Sequence, residues 1–252
     1  MSLSYELIAN DGSARRGRVT TQRGSFETPV FMPVGTRGAV IHLDARDYVD
    51  LGMEVVLGNT YHLMLRPGAE VINDMGGLHS FTNWDGHMLT DSGGFQVMSL
   101  RDNVKIDDEG VDFTSIYDGK KVRFTPEVAV KTQEDLGADI QMVLDVCAAL
   151  PATDDQVITA MKRTHLWAER AKAVHARSDQ ALFGIVQGGI NPDLRHESGA
   201  ALANLDFEGY GIGGLSVGES HMEMMPALRA ALEELPTDRP RYLMGVGDPV
   251  RV

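Results

Sequence analysis

Apolar residues fall into short continuous runs along the chain, each stopped abruptly by a polar residue or a glycine cluster. Six such runs are Val55-Val56-Leu57-Gly58-Asn59, Met88-Leu89-Thr90-Asp91-Ser92-Gly93-Gly94, Met142-Val143-Leu144-Asp145, Phe183-Gly184-Ile185-Val186-Gln187-Gly188-Gly189, Ile212-Gly213-Gly214-Leu215 and Tyr242-Leu243-Met244-Gly245-Val246-Gly247. An earlier run, Pro29 to Thr36, ends the same way and makes seven. Runs of this length without alternation fit strands buried on both faces. Between most of them lie helical patterns with legible starts. Thr125 precedes Pro126, and Asn191 precedes Pro192 ahead of a helix over Leu194 to Leu205. Thr153 with Gln156, and Ser220 with Glu223, form capping boxes. Strand and helix therefore alternate, which predicts parallel strands with right-handed crossovers: a doubly wound sheet or a (β/α)8 barrel. Turn signals at Asp107-Asp108-Glu109-Gly110 and Tyr117-Asp118-Gly119-Lys120 predict an inserted antiparallel hairpin over 102–124. Residues 5–28 predict a meander closing one end.

Composition narrows the class. The chain has 252 residues, 43% hydrophobic, 23% charged and 6% aromatic, which excludes collagen-like and disordered readings and allows one large core. No linker or long-period repeat divides it, so residues 1–252 read as one domain. No apolar run approaches the roughly eighteen residues a membrane span needs, and the N-terminus lacks the basic and apolar regions of a signal peptide. The expectation is a cytoplasmic protein with no membrane partner. A single cysteine, Cys147, makes an internal disulfide or a multi-thiolate metal site impossible, and the eight histidines form no metal-binding pair. The net charge of −13 argues against phosphate binding by the surface as a whole. Its distribution is uneven, however. Arg15, Arg16, Arg18, Arg23 and Arg37 face only Glu6, Asp11 and Glu27 within residues 1–40, which allows a local basic face.

In either parallel architecture the active site lies at the carboxyl ends of the strands. Asn59, Asp91, Asp145 and Gln187 all stand there, and two carboxylates with two carboxamides at matching strand ends are the main functional signal that spacing gives. Helix N-capping is the alternative use for either aspartate. Asp91-Ser92-Gly93-Gly94 adds exposed amides beside a carboxylate, a place to hold a polar heterocycle or developing negative charge. Two further motifs mislead. Gly209-Tyr210-Gly211-Ile212-Gly213-Gly214 matches the dinucleotide pattern G-x-G-x-x-G, but its glycines precede or interrupt an apolar run, with the next capping box six residues beyond. Gly214-Leu215-Ser216-Val217-Gly218 matches G-x-S-x-G without a suitable downstream acid and histidine. Met222, Met224, Met225, Leu228, Leu232 and Leu235 read as the core stripe of a helix. Cys147 reads as a pocket residue or a small buried hydrophobe.

At the strand ends the chain resembles a known family. The segments Phe31 to Thr36, Leu57 to Gly68, Leu89 to Val97, Gly184 to Gly189, Gly213 to Glu219 and Tyr242 to Gly247 are similar to tRNA-guanine transglycosylase, also called queuine tRNA-ribosyltransferase, and the likeness covers essentially the whole chain. The resemblance implies a (β/α)8 TIM-type barrel that exchanges guanine at the wobble position of tRNA for a 7-deazaguanine. It implies Asp91 as proton acceptor, and base contacts from Asp91, Ser92, Gly93, Gly94 and Phe95. Asp145, Gln187 and Gly214 match the positions that hydrogen-bond the base edge. Leu215 and Met244 would sandwich the ring, and Gly245, Val246, Gly247, Asp248, Pro249, Val250 and Arg251 match an RNA-binding stretch. Val217 and Cys147 match the bacterial form that uses preQ1, while Val146 stands where that form often has an acid.

The family's nucleophile, a second aspartate on the eighth strand that forms a covalent ribosyl-enzyme, and its zinc site of three Cys and one His both match positions beyond Val252. The expectation is thus a barrel lacking its eighth strand and zinc subdomain, with unpaired first and seventh strands that invite association. Such a chain, alone, is expected to be inactive. Partners implied are tRNA, guanine, preQ1 and, for the complete protein, a second copy. The other readings are a short homologue that binds deazaguanine or tRNA without chemistry, and an unrelated small-molecule α/β enzyme.

Overall fold

The computed structural model describes residues 2–99, 104–148 and 150–247. An antiparallel meander opens the chain: β1 (Leu3–Asp11), β2 (Ala14–Thr21) and β3 (Gly24–Thr28). The alternating elements follow as β4 (Val34–Gly35), α1 (Ala45–Asp50), β5 (Val55–Gly58), α2 (Thr60–Leu65), α3 (Ala69–Asp74), α4 (Gly77–Thr82), β6 (His87–Thr90) and α5 (Gly94–Ser99). Three short antiparallel strands intervene, β7 (Lys105–Ile106), β8 (Val111–Thr114) and β9 (Lys121–Phe124), so the segment predicted as a hairpin carries a third strand. Then come α6 (Pro126–Leu136), β10 (Ile140–Met142), α7 (Asp154–Val174), β11 (Ala181–Val186), α8 (Pro192–Asn204), β12 (Gly209–Ile212), α9 (His221–Glu233) and β13 (Arg241–Leu243).

Seven strands form one parallel sheet in the order β13-β12-β11-β10-β6-β5-β4, one for each apolar run. Every residue of β5, β6, β10, β11 and β12 is buried, which is why their sequences do not alternate. Burial of each large aliphatic side chain contributes about 1.5–3 kcal/mol. The sheet curls as an incomplete (β/α) barrel. A Cβ on Gly247, just past β13, would lie 2.9 Å from the ring of Phe31, just ahead of β4, so the two edges approach each other. Among the described residues no eighth parallel strand lies between them.

The helix starts follow the capping chemistry in the sequence. Thr125 and Asn191 accept amides of the turns they cap, and Thr153/Gln156 and Ser220/Glu223 form reciprocal boxes. Met222 departs from its expected place: it is 86% exposed, because the buried face of α9 runs through Met224, Ala227, Ala230 and Ala231. The meander covers the end of the barrel where the strands begin. Thr21 bonds His87 at the head of β6 at 3.2 Å, and Arg23 pairs with Asp139 ahead of β10 at 3.2 Å. The opposite end is left to the polar strand ends.

Ion pairs and carbonyl contacts take up most of the arginines of residues 1–40. Arg15 donates to the Thr237 and Arg239 carbonyls, Arg16 and Arg18 pair with Glu27, and Arg23 pairs with Asp139. Clustering in sequence does not leave these guanidinium groups free once the meander folds against the barrel. Arg37 alone of the five, among the described residues, has no such partner.

Candidate active site

Asp91 follows β6 and is partly buried. Its Oδ1 accepts the Thr60 amide at 2.9 Å and the Gly93 amide at 3.0 Å; its Oδ2 accepts from Asn59 Nδ2 at 2.7 Å and Gln96 Nε2 at 3.3 Å. Burial nonetheless dominates these donors and lifts the carboxyl to about 7, with the charge of Asp145 acting in the same direction. Asn59 is the N-cap of α2, accepting the His62 amide at 3.3 Å, so its other end orients Asp91.

Asp145 stands three residues beyond β10, and its position has a local cause. Gln133 on α6 takes up both the amide and the carbonyl of Met142, at 3.0 and 2.9 Å. The ladder between β10 and β6 ends just before this, at Gln141 and Thr90. The chain thus parts from β6 while it stays on β11, Val143 donating to the Phe183 carbonyl at 3.0 Å, and then carries Asp145 to the mouth. There its Oδ2 accepts Gln187 Nε2 at 2.6 Å and its Oδ1 accepts Ser92 Oγ at 3.4 Å, while burial raises it to about 6. Helix capping does not explain it, since the next described helix is α7, capped by Thr153.

Gln187 closes the set from the end of β11. A Cβ on Gly214 would fall 2.3 Å from Gln187 Oε1, and Gly214 has φ +63, so this glycine is what admits the carboxamide. Gly94 packs on the backbone of Asp145: a Cβ there would sit 3.1 Å from the Asp145 carbonyl. Leu215 is buried and Met244 partly so. A Cβ on Gly245 would lie only 3.8 Å from the Leu215 carbonyl, so the two segments meet. The misleading glycine motif is spent on packing here, since Gly211 in β12 leaves room for the Met244 sulfur, 2.9 Å from where a Cβ would be.

Asp91, Ser92, Gly93, Gly94, Asp145, Gln187, Gly214, Leu215 and Met244 thus share one mouth, while Phe95 lies exposed on α5. Gly245, Val246 and Gly247 follow β13 at this end; Asp248, Pro249, Val250 and Arg251 lie outside the described residues. Cys147 is partly exposed and its thiol is pushed up to about 12, by burial first and then by Asp145, so it is a neutral group.

The sequence model described as queuine tRNA-ribosyltransferase matches residues 11–252. A queuine tRNA-ribosyltransferase of Marinobacter nauticus is 51% identical over 247 residues, covering 98% of this chain and 66% of that protein. Proteins of the same name from Pseudomonas putida and Herpetosiphon aurantiacus are 53% and 52% identical, with 67% and 63% of their lengths covered. The chain belongs to the queuine tRNA-ribosyltransferase family. It spans about two thirds of the length of these relatives. Among the described residues no group of three His, Cys, Asp or Glu side chains could hold a metal ion.

One residue of this mouth escapes a reading by strand ends. Arg195 on α8 is 0% exposed and donates to the carbonyls of Gly189, Val186, Gly213 and Gly214 at 2.8, 3.1, 2.7 and 3.1 Å. It ties the turn after Gln187 to the turn that carries Gly214. Burial lowers its guanidinium to about 10, still charged at neutral pH. The signal was available: Arg195, Ser198, Gly199 and Leu202 are the buried stripe of α8, and an arginine inside such a stripe needs a buried role.

Proposed function

We propose that this mouth binds guanine and its 7-deaza analogue preQ1 and serves the exchange of one for the other at a tRNA wobble position. The observation that carries the reading is the Asp145–Gln187 pair, bonded at 2.6 Å beside Asp91. Guanine presents ring and amino N–H donors on one edge, which a carboxylate accepts, and carbonyl and ring acceptors elsewhere, which an amide donates to. Asp145 supplies the acceptor and the second N–H of Gln187, with the Gly214 amide, supplies donors. Leu215 and Met244 supply apolar faces for the ring.

Asp91, lifted to about 7, is poised to take a proton from the incoming base and return it to the departing one, since a group titrating near the working pH does both. The resemblance places the attacking aspartate outside residues 1–252, so these residues recognise the base and move the proton but form no bond to ribose. Bacterial preQ1 rather than queuine is favoured by Val217 and Cys147. The resemblance adds tRNA and a second copy of the protein as partners.

Calorimetry with purified chain tests the reading. Guanine and preQ1 are expected to bind saturably and adenine, whose edge inverts the donors and acceptors, to be rejected. Asp145→Ala is expected to weaken guanine about ten- to hundredfold. Unchanged affinity in that variant, or equal binding of adenine, refutes the assignment. Labelled guanine should not enter tRNA with this chain alone, and incorporation would contradict placing the nucleophile elsewhere.

A further inference from the structure

Beside the base slot, the same end of the barrel holds a feature that base recognition does not use. A cavity of about 260 Å³ lies between the β4–α1 connection, the end of α2, α4 and the β8–β9 turn, lined by Arg37, Arg66, Pro67, Phe81 and Tyr117. The Arg66 guanidinium lies 5.8 Å from the centroid of the Tyr117 ring, and the Tyr117 hydroxyl is buried with no hydrogen-bond partner in the protein. Neither arginine has a carboxylate within salt-bridge distance among the described residues. The acid in the same turn as Tyr117, Asp118, is occupied by Lys120 at 3.1 Å. In a chain of net charge −13, two adjacent unpaired guanidinium groups are out of keeping with the surface. Their influence is felt locally: burial and then the charge of Arg37 lower His62 on α2.

Position relates this cavity to the slot. The first residue of α2, Thr60, donates its amide to Asp91, and Arg66 is the C-cap of the same helix. Six residues of helix advance about 9 Å, so Arg66, with Arg37 lining the same cavity, stands about one nucleotide's spacing along α2 from the residue that binds Asp91. Guanidinium groups with a phenolic hydroxyl are the donor set that suits a phosphodiester, which accepts bidentate hydrogen bonds. Such contacts fix register on a nucleic acid without reading its sequence.

We propose that Arg37, Arg66 and Tyr117 form a phosphate subsite that holds the RNA backbone flanking the exchanged nucleotide. The proposal rests on the reading of the mouth as a tRNA-base site and names the groups that position the strand there.

The test is fluorescence anisotropy of a labelled anticodon stem-loop RNA with the 252-residue chain across a salt series, with guanine calorimetry alongside. Arg37→Gln and Arg66→Gln are surface changes that leave the fold in place. Each is expected to reduce the slope of log affinity against log salt by about 0.7–0.9, and the double variant by about twice that. Arg37→Lys should keep the slope, and all variants should keep wild-type guanine affinity. An unchanged slope in the double variant overturns the subsite, as does failure of the wild-type chain to bind the RNA. If guanine binds but the arginines do not matter, the base reading survives without the subsite. Arginine-dependent RNA binding without guanine binding would leave the subsite standing and remove the base reading.

Discussion

At the scale of single residues, the site is a set of groups held against their solution preferences. Asp91 and Asp145 are pushed up to about 7 and about 6 by burial. A carboxyl whose folded pKa exceeds its unfolded value stabilises the fold below the unfolded value, and that stability is lost as pH rises through the folded one. The chain is therefore expected to lose stability between about pH 4 and pH 7, and Asp145→Asn should flatten part of that fall in denaturant midpoints measured across pH. Guanine affinity should run the opposite way, rising through about pH 6 as Asp145 ionises into an acceptor; a flat profile would remove Asp145 from the base edge. Gly214→Ala should displace the Gln187 carboxamide and reduce guanine affinity, because a methyl there overlaps Oε1. Asp91, Asp145 and Gln187 were visible in the sequence, each ending an apolar run. Their raised protonation was not, because it depends on burial that the runs do not specify.

At the scale of elements, the decisive feature is how each strand ends. Gln133 is a residue that strand reading ignores, yet it takes both polar groups of Met142 and bonds the Thr90 hydroxyl at 3.0 Å. Gln133→Leu should cost about 2–5 kcal/mol by leaving buried backbone groups unpaired, read as a lower midpoint, and should also weaken guanine binding as Asp145 drifts. The seven parallel strands were legible because burial on both faces makes each an unbroken apolar run. The four longest helices were legible from their caps. The helices α1 to α5 were not: each has six residues, too few for a periodic stripe, and α3 and α4 start at Gly68 and Gly76 with no side-chain cap. Arg195 was hidden for a different reason, since a charge at a helical position is ordinarily read as solvated.

For the molecule as a whole, the two ends of the barrel separate stability from function. At the end where strands begin, Asp139 is buried, accepts the Met88 amide at 2.8 Å, and meets Arg23 and His79 at 3.2 and 3.1 Å, which pins the meander to the barrel. Asp139→Ala is expected to destabilise the chain by about 3 kcal/mol while leaving guanine affinity unchanged, because nothing in that cluster reaches the mouth. At the other end, the ends of β6, β10, β11, β12 and β13 bring their polar and apolar side chains to one mouth. The measurement that tests this most directly is a crystal structure of the chain soaked with guanine. Density for the ring between Leu215 and Met244, with its donor edge on Asp145 and Gln187, is the predicted result; guanine ordered anywhere else on the molecule would contradict it.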